Sequence, residues 1–157
     1  MIESELFRIP IVIRGNSPFA KININGHELS FLVDSGAGLS VYDQKFIHYL
    51  GITEEQLGET ISNISGVGEN SFNGRLVMIF FKIDDMRFAN LFTVSEMGAT
   101  FRAFKDSIGD VAGILGGDFL NDYGAIIDYG TQEIRLDREK AESIMRETMA
   151  RMKENKL

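Results

Sequence analysis

The stretch FLVDSGAGLS, Phe31–Ser40, runs three apolar residues straight into an acid, a hydroxyl and a glycine. Upstream of it, Phe19, Ile22 and Ile24, and then Leu29, Phe31 and Val33, fall mostly two apart, the period of a half-buried strand. Asn25-Gly26 lies between the two runs, and such a pair favours a two-residue hairpin turn. A β-hairpin over about residues 19–33 therefore ends by delivering Asp34 into a tight turn. Taken alone, Asp-Ser-Gly is a weak signal. Asp and Ser cap turns through side-chain to backbone hydrogen bonds, and glycine accepts the positive φ that many turns need.

Working outward, a short helical piece is expected at Asp43–Leu50, with Asp43 as its cap and Phe46, Ile47 and Leu50 on one side. The segment from Ile61 to Val94 reads as strand, Gly-rich turn, long strand, Asp84-Asp85 turn and strand. Residues Gly98–Val111 carry no pattern and read as a loop. After them come a buried strand at Gly113–Leu115, a short helix near Asp118–Asp122, and a hairpin pairing Ala125–Tyr129 with Glu133–Leu136. From Asp137 onward there is neither Gly nor Pro, and Ala141, Ile144, Met145, Met149 and Met152 recur at steps of three and four, the stripe of an amphipathic helix. Several short strands and one long terminal helix indicate a mainly-β domain, a small barrel. Residues 1–136 are expected to form that domain. Residues 137–157 are expected to form a helix packed on the barrel or at a dimer interface.

Three elements in a fixed order give the acid its context. Leu32-Val33-Asp34-Ser35-Gly36-Ala37 comes first, and Ser65-Gly66-Val67-Gly68 follows at the tip of a hairpin. Ile114-Leu115-Gly116 comes third, with Gly117, Asp118, Phe119 and Leu120 behind it. From Phe19 to Leu136 this arrangement resembles the retropepsin-like aspartic proteases, the single-domain family of retroviral proteases and their cellular relatives. The resemblance implies a closed acid-protease β-barrel with a glycine-rich flap hairpin and short helices, to which the pattern after Asp137 adds a C-terminal α-helix. It implies an aspartic endopeptidase with a peptide or protein substrate. Asp34, Ser35 and Gly36 take the catalytic loop. Ser65, Gly66, Val67 and Gly68 take the mobile flap, and Ala37, Ile114, Leu115 and Gly116 support the site.

The chemistry agrees with those roles. Peptide hydrolysis without a metal or a nucleophilic side chain needs one carboxylate to deprotonate water and one carboxylic acid to polarise the carbonyl. Two carboxyls packed together share one proton, because both cannot ionise at close range. One Asp-Ser-Gly supplies half of such a site, and the family completes it in a two-fold homodimer. Ser35 stands where threonine is commoner, keeping the hydroxyl that hydrogen-bonds across the dimer in the family and giving up a methyl. Two departures stand out. Gly117 occupies a position where many relatives carry Arg, and the chain continues past the last short helix where retroviral enzymes end. Should the chain stay monomeric, the alternative is an inactive retropepsin fold serving as a peptide-binding or assembly module.

Composition removes other classes. A net charge of −7, concentrated as −8 in residues 1–136, argues against nucleic acid as a partner. The chain has no cysteine, so thiolate nucleophiles, zinc-thiolate sites and cystine frameworks are excluded. His27 and His48 are the only histidines; no Gly-x-Ser-x-Gly elbow accompanies them, and they form no metal-ligand motif. In DSGAGLSV, Val41 stands where a dinucleotide fingerprint needs its third glycine. No cofactor and no metal are expected. Asp128 follows an apolar run as Asp34 does, but without Ser-Gly after it, and reads as a turn residue; Asp118 reads as the cap of its short helix. No apolar stretch approaches the roughly 18 residues of a membrane span, so neither a membrane partner nor a leader is expected and a cytoplasmic protein is.

Overall fold

The computed structural model describes residues 5–53, 55, 57, 60–65 and 71–154. The strands are β1 (Leu6–Arg14), β2 (Ser17–Ile24), β3 (His27–Val33), β4 (Val41–Asp43), β5 (Thr60–Ser65), β6 (Ser71–Ile83), β7 (Met86–Ser95), β8 (Val111–Leu115), β9 (Ile126–Asp128) and β10 (Glu133–Asp137). The α-helices are α1 (Lys105–Ile108), α2 (Gly117–Asp122) and α3 (Arg138–Glu154), and a 3-10 helix covers Gln44–Leu50. Neighbouring strands follow the order β5-β6-β7-β4-β8-β3-β2-β1-β10-β9. A pairing of Asn23 in β2 with Lys82 in β6 closes six of them, β2, β3, β8, β4, β7 and β6, into a barrel. The fold is mainly β with a closed barrel, as the sequence implies.

The hairpins form where turn chemistry places them. Asn25 (φ 50°) and Gly26 (φ 90°) make a turn with both central residues in the left-handed region, which keeps the strand twist continuous across β2 and β3. Asp84 takes φ 52° between β6 and β7. Asp43 caps the 3-10 helix by accepting from the Lys45 amide at 3.1 Å, and Phe46 is buried beneath it. The least patterned segment contains a 3-10 turn at Arg102–Phe104 and then α1, and β8 begins two residues earlier than the apolar run Gly113–Leu115 indicates.

The first strand read from the sequence begins at Phe19, and no element is assigned before it. The structure places β1 there, and its proline sits where the strand changes partner. Leu6–Pro10 pair with β10, and Ile11–Arg14 pair with β2. A residue without an N–H is tolerated at such a switch. Proline at this point leaves the ladder intact, since the next amide, that of Ile11, donates to the Gln132 carbonyl at 3.0 Å.

One core fills the barrel and extends under α2 and α3. Its centre is aromatic: Phe81, Phe88, Phe92, Phe119 and Tyr123 pack at ring separations such as 4.7 Å for Phe119–Tyr123 and 5.2 Å for Phe88–Tyr123. On α3, Ala141 is buried in this core, Arg138 lies over the Phe7 ring, and the helix cap is Asp137, which accepts from the Lys140 amide at 3.1 Å. The distal part of the predicted apolar stripe behaves differently, since Met149 and Met152 are exposed. No helix among the described residues is long and apolar enough to cross a membrane.

Tyr123 stands in for a missing strand. β4 reaches β7 only at Thr93–Ser95, so Ala89 has no strand partner on that side. The buried Tyr123 hydroxyl donates to the Ala89 carbonyl at 2.6 Å and accepts from the Ala89 amide at 3.2 Å. Burial pushes this phenol up to about 12, against the opposing pull of its hydrogen bond with Ala89. A raised pKa means that the neutral hydroxyl is the form the fold favours. Its stability contribution is therefore complete below about pH 10 and is lost as pH climbs from about 10 to about 12. Tyr123→Phe should lower the unfolding free energy by about 1–3 kcal/mol. In urea titrations from neutral to alkaline pH the variant should lose less stability than the wild type over that window.

Candidate active site

β8 runs between β3 and β4. It lies parallel to β3, with Leu32 opposite Ile114 and Val33 opposite Leu115, and antiparallel to β4, with Val41 opposite Ile114 and Tyr42 opposite Gly113. Residues 34–40 join β3 to β4 and so must pass over the end of β8. The crossing is tight enough to dictate two glycines. A Cβ on Gly113 would lie 2.0 Å from the Val41 carbonyl oxygen, and one on Gly116 would lie 2.7 Å from the Leu39 oxygen and 2.8 Å from the Ala37 oxygen.

That passage fixes Asp34. Its amide donates to the Leu115 carbonyl at 3.0 Å, its carbonyl accepts from the Ala37 amide at 3.1 Å, and its carboxylate Oδ1 accepts from the Gly36 amide at 2.9 Å. The side chain is half-buried, Ser35 and Gly36 are exposed, and Ala37 turns inward. Ala37 joins a second cluster with Phe19, Val41, Met97, Phe101, Val111 and Ile114. The structure thus gathers Asp34, Ser35, Gly36, Ala37, Ile114, Leu115 and Gly116 at one end of the barrel. Ser65 ends β5 opposite Ser71, while Gly66, Val67 and Gly68 lie outside the described residues.

A polar anchor underlies the loop. The Ser40 hydroxyl, fully buried, accepts from the Gly116 amide at 2.9 Å and donates to Asp118 Oδ1 at 2.7 Å, and Asn90 donates to Asp118 Oδ2 at 3.3 Å. The Ser40 carbonyl also accepts from the Thr93 amide at 2.9 Å. Asp118 is therefore not the cap of α2. Gly116 holds that position, fixed by the crossing, and Asp118 lies in the first turn with its carboxylate turned toward Ser40 and Asn90. Where many relatives carry Arg, Gly117 contributes a main-chain bond instead: its amide donates to Ala37 O at 2.6 Å, and the Asp118 amide donates to Gly38 O at 3.2 Å.

The sequence gives no local signal for Ser40 or Asn90. Their shared partner is remote in the chain, and a serine after a glycine-rich turn looks like any other turn residue. Ser40→Ala would strip partners from the Gly116 amide and the Asp118 carboxylate inside the protein. It should cost about 1–3 kcal/mol in urea unfolding.

Asp128, the other acid after an apolar run, is a turn residue. Its Oδ1 accepts from the Gly130 amide at 2.8 Å and from the Thr131 amide at 3.1 Å, and Arg135 lies 3.3 Å from its Oδ2. The Thr131 amide above all holds this carboxyl below the usual range, with Gly130 and Arg135 adding to the effect. His27 and His48 both pack on Tyr49, each at 4.2 Å between ring centres, and His27 opens β3 at the end opposite Asp34.

Comparison with known proteins agrees with this architecture. The aspartyl protease family matches residues 20–119, and the chain belongs to that family. Its structure is similar to the crystal structure of a retropepsin-like aspartic protease from Rickettsia conorii, with a TM-score of 0.56 and 21% identity over 84% of this chain and 91% of that one. It is also similar to the retroviral protease-like domain of Ddi1 from Leishmania major, with a TM-score of 0.52 and 20% identity over 76% of this chain and 85% of that one. At these identities the two structures speak for the fold, which is retropepsin-like. No curated protein matches the chain.

Proposed function

We propose that this chain is an aspartic endopeptidase that works as a homodimer, with Asp34 of each copy forming the catalytic pair. The observation that carries the reading is the setting of Asp34. A half-exposed carboxylate stands at the end of a buried strand, on a loop held from below by β8 and by Ser40, with Ser35 and Gly36 exposed beside it. A second copy related by a two-fold axis would bring an identical loop against this one.

In that pair the two carboxyls share one proton. The ionised carboxylate takes a proton from a water molecule while the protonated one donates a hydrogen bond to the scissile carbonyl. The water oxygen adds to the carbonyl carbon, and the resulting tetrahedral intermediate collapses as the C–N bond breaks and the amine nitrogen takes up a proton from the pair. The Gly36 amide steadies the Asp34 carboxylate from within its own loop. The Ser35 hydroxyl, exposed on the same loop, serves as the group that hydrogen-bonds across the pair beneath the two acids. A hairpin formed by β5 and β6 supplies the cover that excludes water during the reaction.

Asp34→Asn should reduce cleavage of a mixed peptide library by a factor on the order of 10²–10⁴ and leave thermal unfolding nearly unchanged. Mixing wild-type chain with an excess of the Asn variant should cut activity more steeply than dilution does, because mixed pairs hold a single acid. Full cleavage by Asp34→Asn would refute the mechanism. A chain that is monomeric in solution and cleaves nothing from pH 4 to 7 would make the fold a peptide-binding or assembly module.

A further inference from the structure

A groove of about 720 Å³ runs along the outer face of β6 and β7 beneath α3. The strand register explains its character. Val77, Ile79 and Phe81 turn toward the core, so Leu76, Met78 and Phe80 turn outward, paired with Thr93, Leu91 and Ala89. An outward face of an antiparallel sheet is ordinarily polar. The sheet floor here is apolar and only partly covered, while the α3 wall is mixed, with Ile144 beside Lys140, Ser143, Glu147, Thr148 and Arg151. Met78 is 42% exposed, Leu91 45% and Leu39 44%, and all three line the groove. In the sheet floor, Thr93 Oγ1 is buried without a hydrogen-bond partner among the described residues.

Two of the groove's boundaries belong to the candidate active site. Leu39 comes from the loop that carries Asp34, and Leu76 and Met78 come from β6, the strand that leads out of the β5–β6 hairpin. Asp118, which holds Ser40 under that loop, also lines the groove. An extended polypeptide held at Asp34 advances about 3.3 Å per residue, and the groove begins at Leu39, five residues further along the same loop.

Resting on the proposed protease function, we infer that the groove is an exosite for the polypeptide substrate. It takes bulky apolar side chains of the substrate segment flanking the scissile bond, and α3 forms its outer wall. A retropepsin-like core would thereby gain a second recognition element outside the catalytic loop.

The test compares wild type with Met78→Glu and Leu91→Glu, two exposed positions where a charge leaves the core untouched. On a proteome-derived peptide library, both variants should raise KM roughly tenfold, at unchanged kcat, for peptides with Leu, Met or Phe in the flanking segment. Peptides cut at the same bond without such a flank should be unaffected. Unchanged discrimination, or an equal loss on both sets, overturns the exosite. A second readout does not need turnover. In the Asp34→Asn chain, the carbon-13 methyl resonance of Met78 should shift on titration with a short Leu- and Met-rich peptide, and should stay in place with its Glu-substituted counterpart. No shift overturns the inference even where wild-type cleavage is normal. A shift in a protein whose wild-type form never cleaves keeps the groove as a peptide site and refutes the protease reading instead. If either Glu variant lowers the mass in solution, the face belongs to a second copy of the chain and the exosite is refuted.

Discussion

Three backbones occupy a space with no room for side chains where β8 passes between β3 and β4. Gly113 and Gly116 are there because any Cβ would overlap the carbonyls of Val41, Ala37 and Leu39. Close packing of main chain on main chain is what makes the loop at residues 34–40 rigid, together with the hydrogen bonds by which Asp34, Ala37, Gly38 and Ser40 meet β8 and the start of α2. A loop with that support holds a carboxylate in one orientation, and orientation is what a reaction without metal or cofactor draws upon. Loosening the crossing would cost the fold little apolar burial, yet it would leave Asp34 free to turn.

A second tier of order lies under the first. Ser40, Asp118 and Asn90 form a buried polar set in which both Asp118 carboxylate oxygens accept hydrogen bonds. Such networks stabilise when complete and are expensive when half complete. They connect the inner side of the Asp34 loop with β7, so the loop and that strand are mechanically one piece. The absence of Arg at position 117 is tolerated in this arrangement because the neighbouring amides of Gly117 and Asp118 already clasp the loop.

Much of this was legible from residue order. Period-two alternation and Asn25-Gly26 located the first hairpin, and the family resemblance of the Asp34 and Ile114 motifs located the crossing. Other parts depend on distance in space rather than in sequence. β1 carries a proline at its middle, and only the change from β10 to β2 at that point makes it harmless. β4 is three residues long, too short to display any period. Asp118 carries a plausible local role as a cap, and a local pattern cannot reveal that Ser40 and Asn90 compete for it more strongly. Met149 and Met152 extend a regular stripe, yet both are exposed, so the pattern continues past the burial that called for it.

The change of partner along β1 has a consequence for how the chain is assembled. Leu6–Pro10 find their ladder only on β10, at the opposite end of the chain, whereas Ile11–Arg14 close a short hairpin with the strand that follows directly. One half of the first strand can therefore settle while the polypeptide is still being made, and the other half waits until nearly the whole sequence has been synthesised. Contacts of such long sequence separation form late and slow the final step of folding. Strand residues that come early in the order are, in this fold, among the last to find their partners.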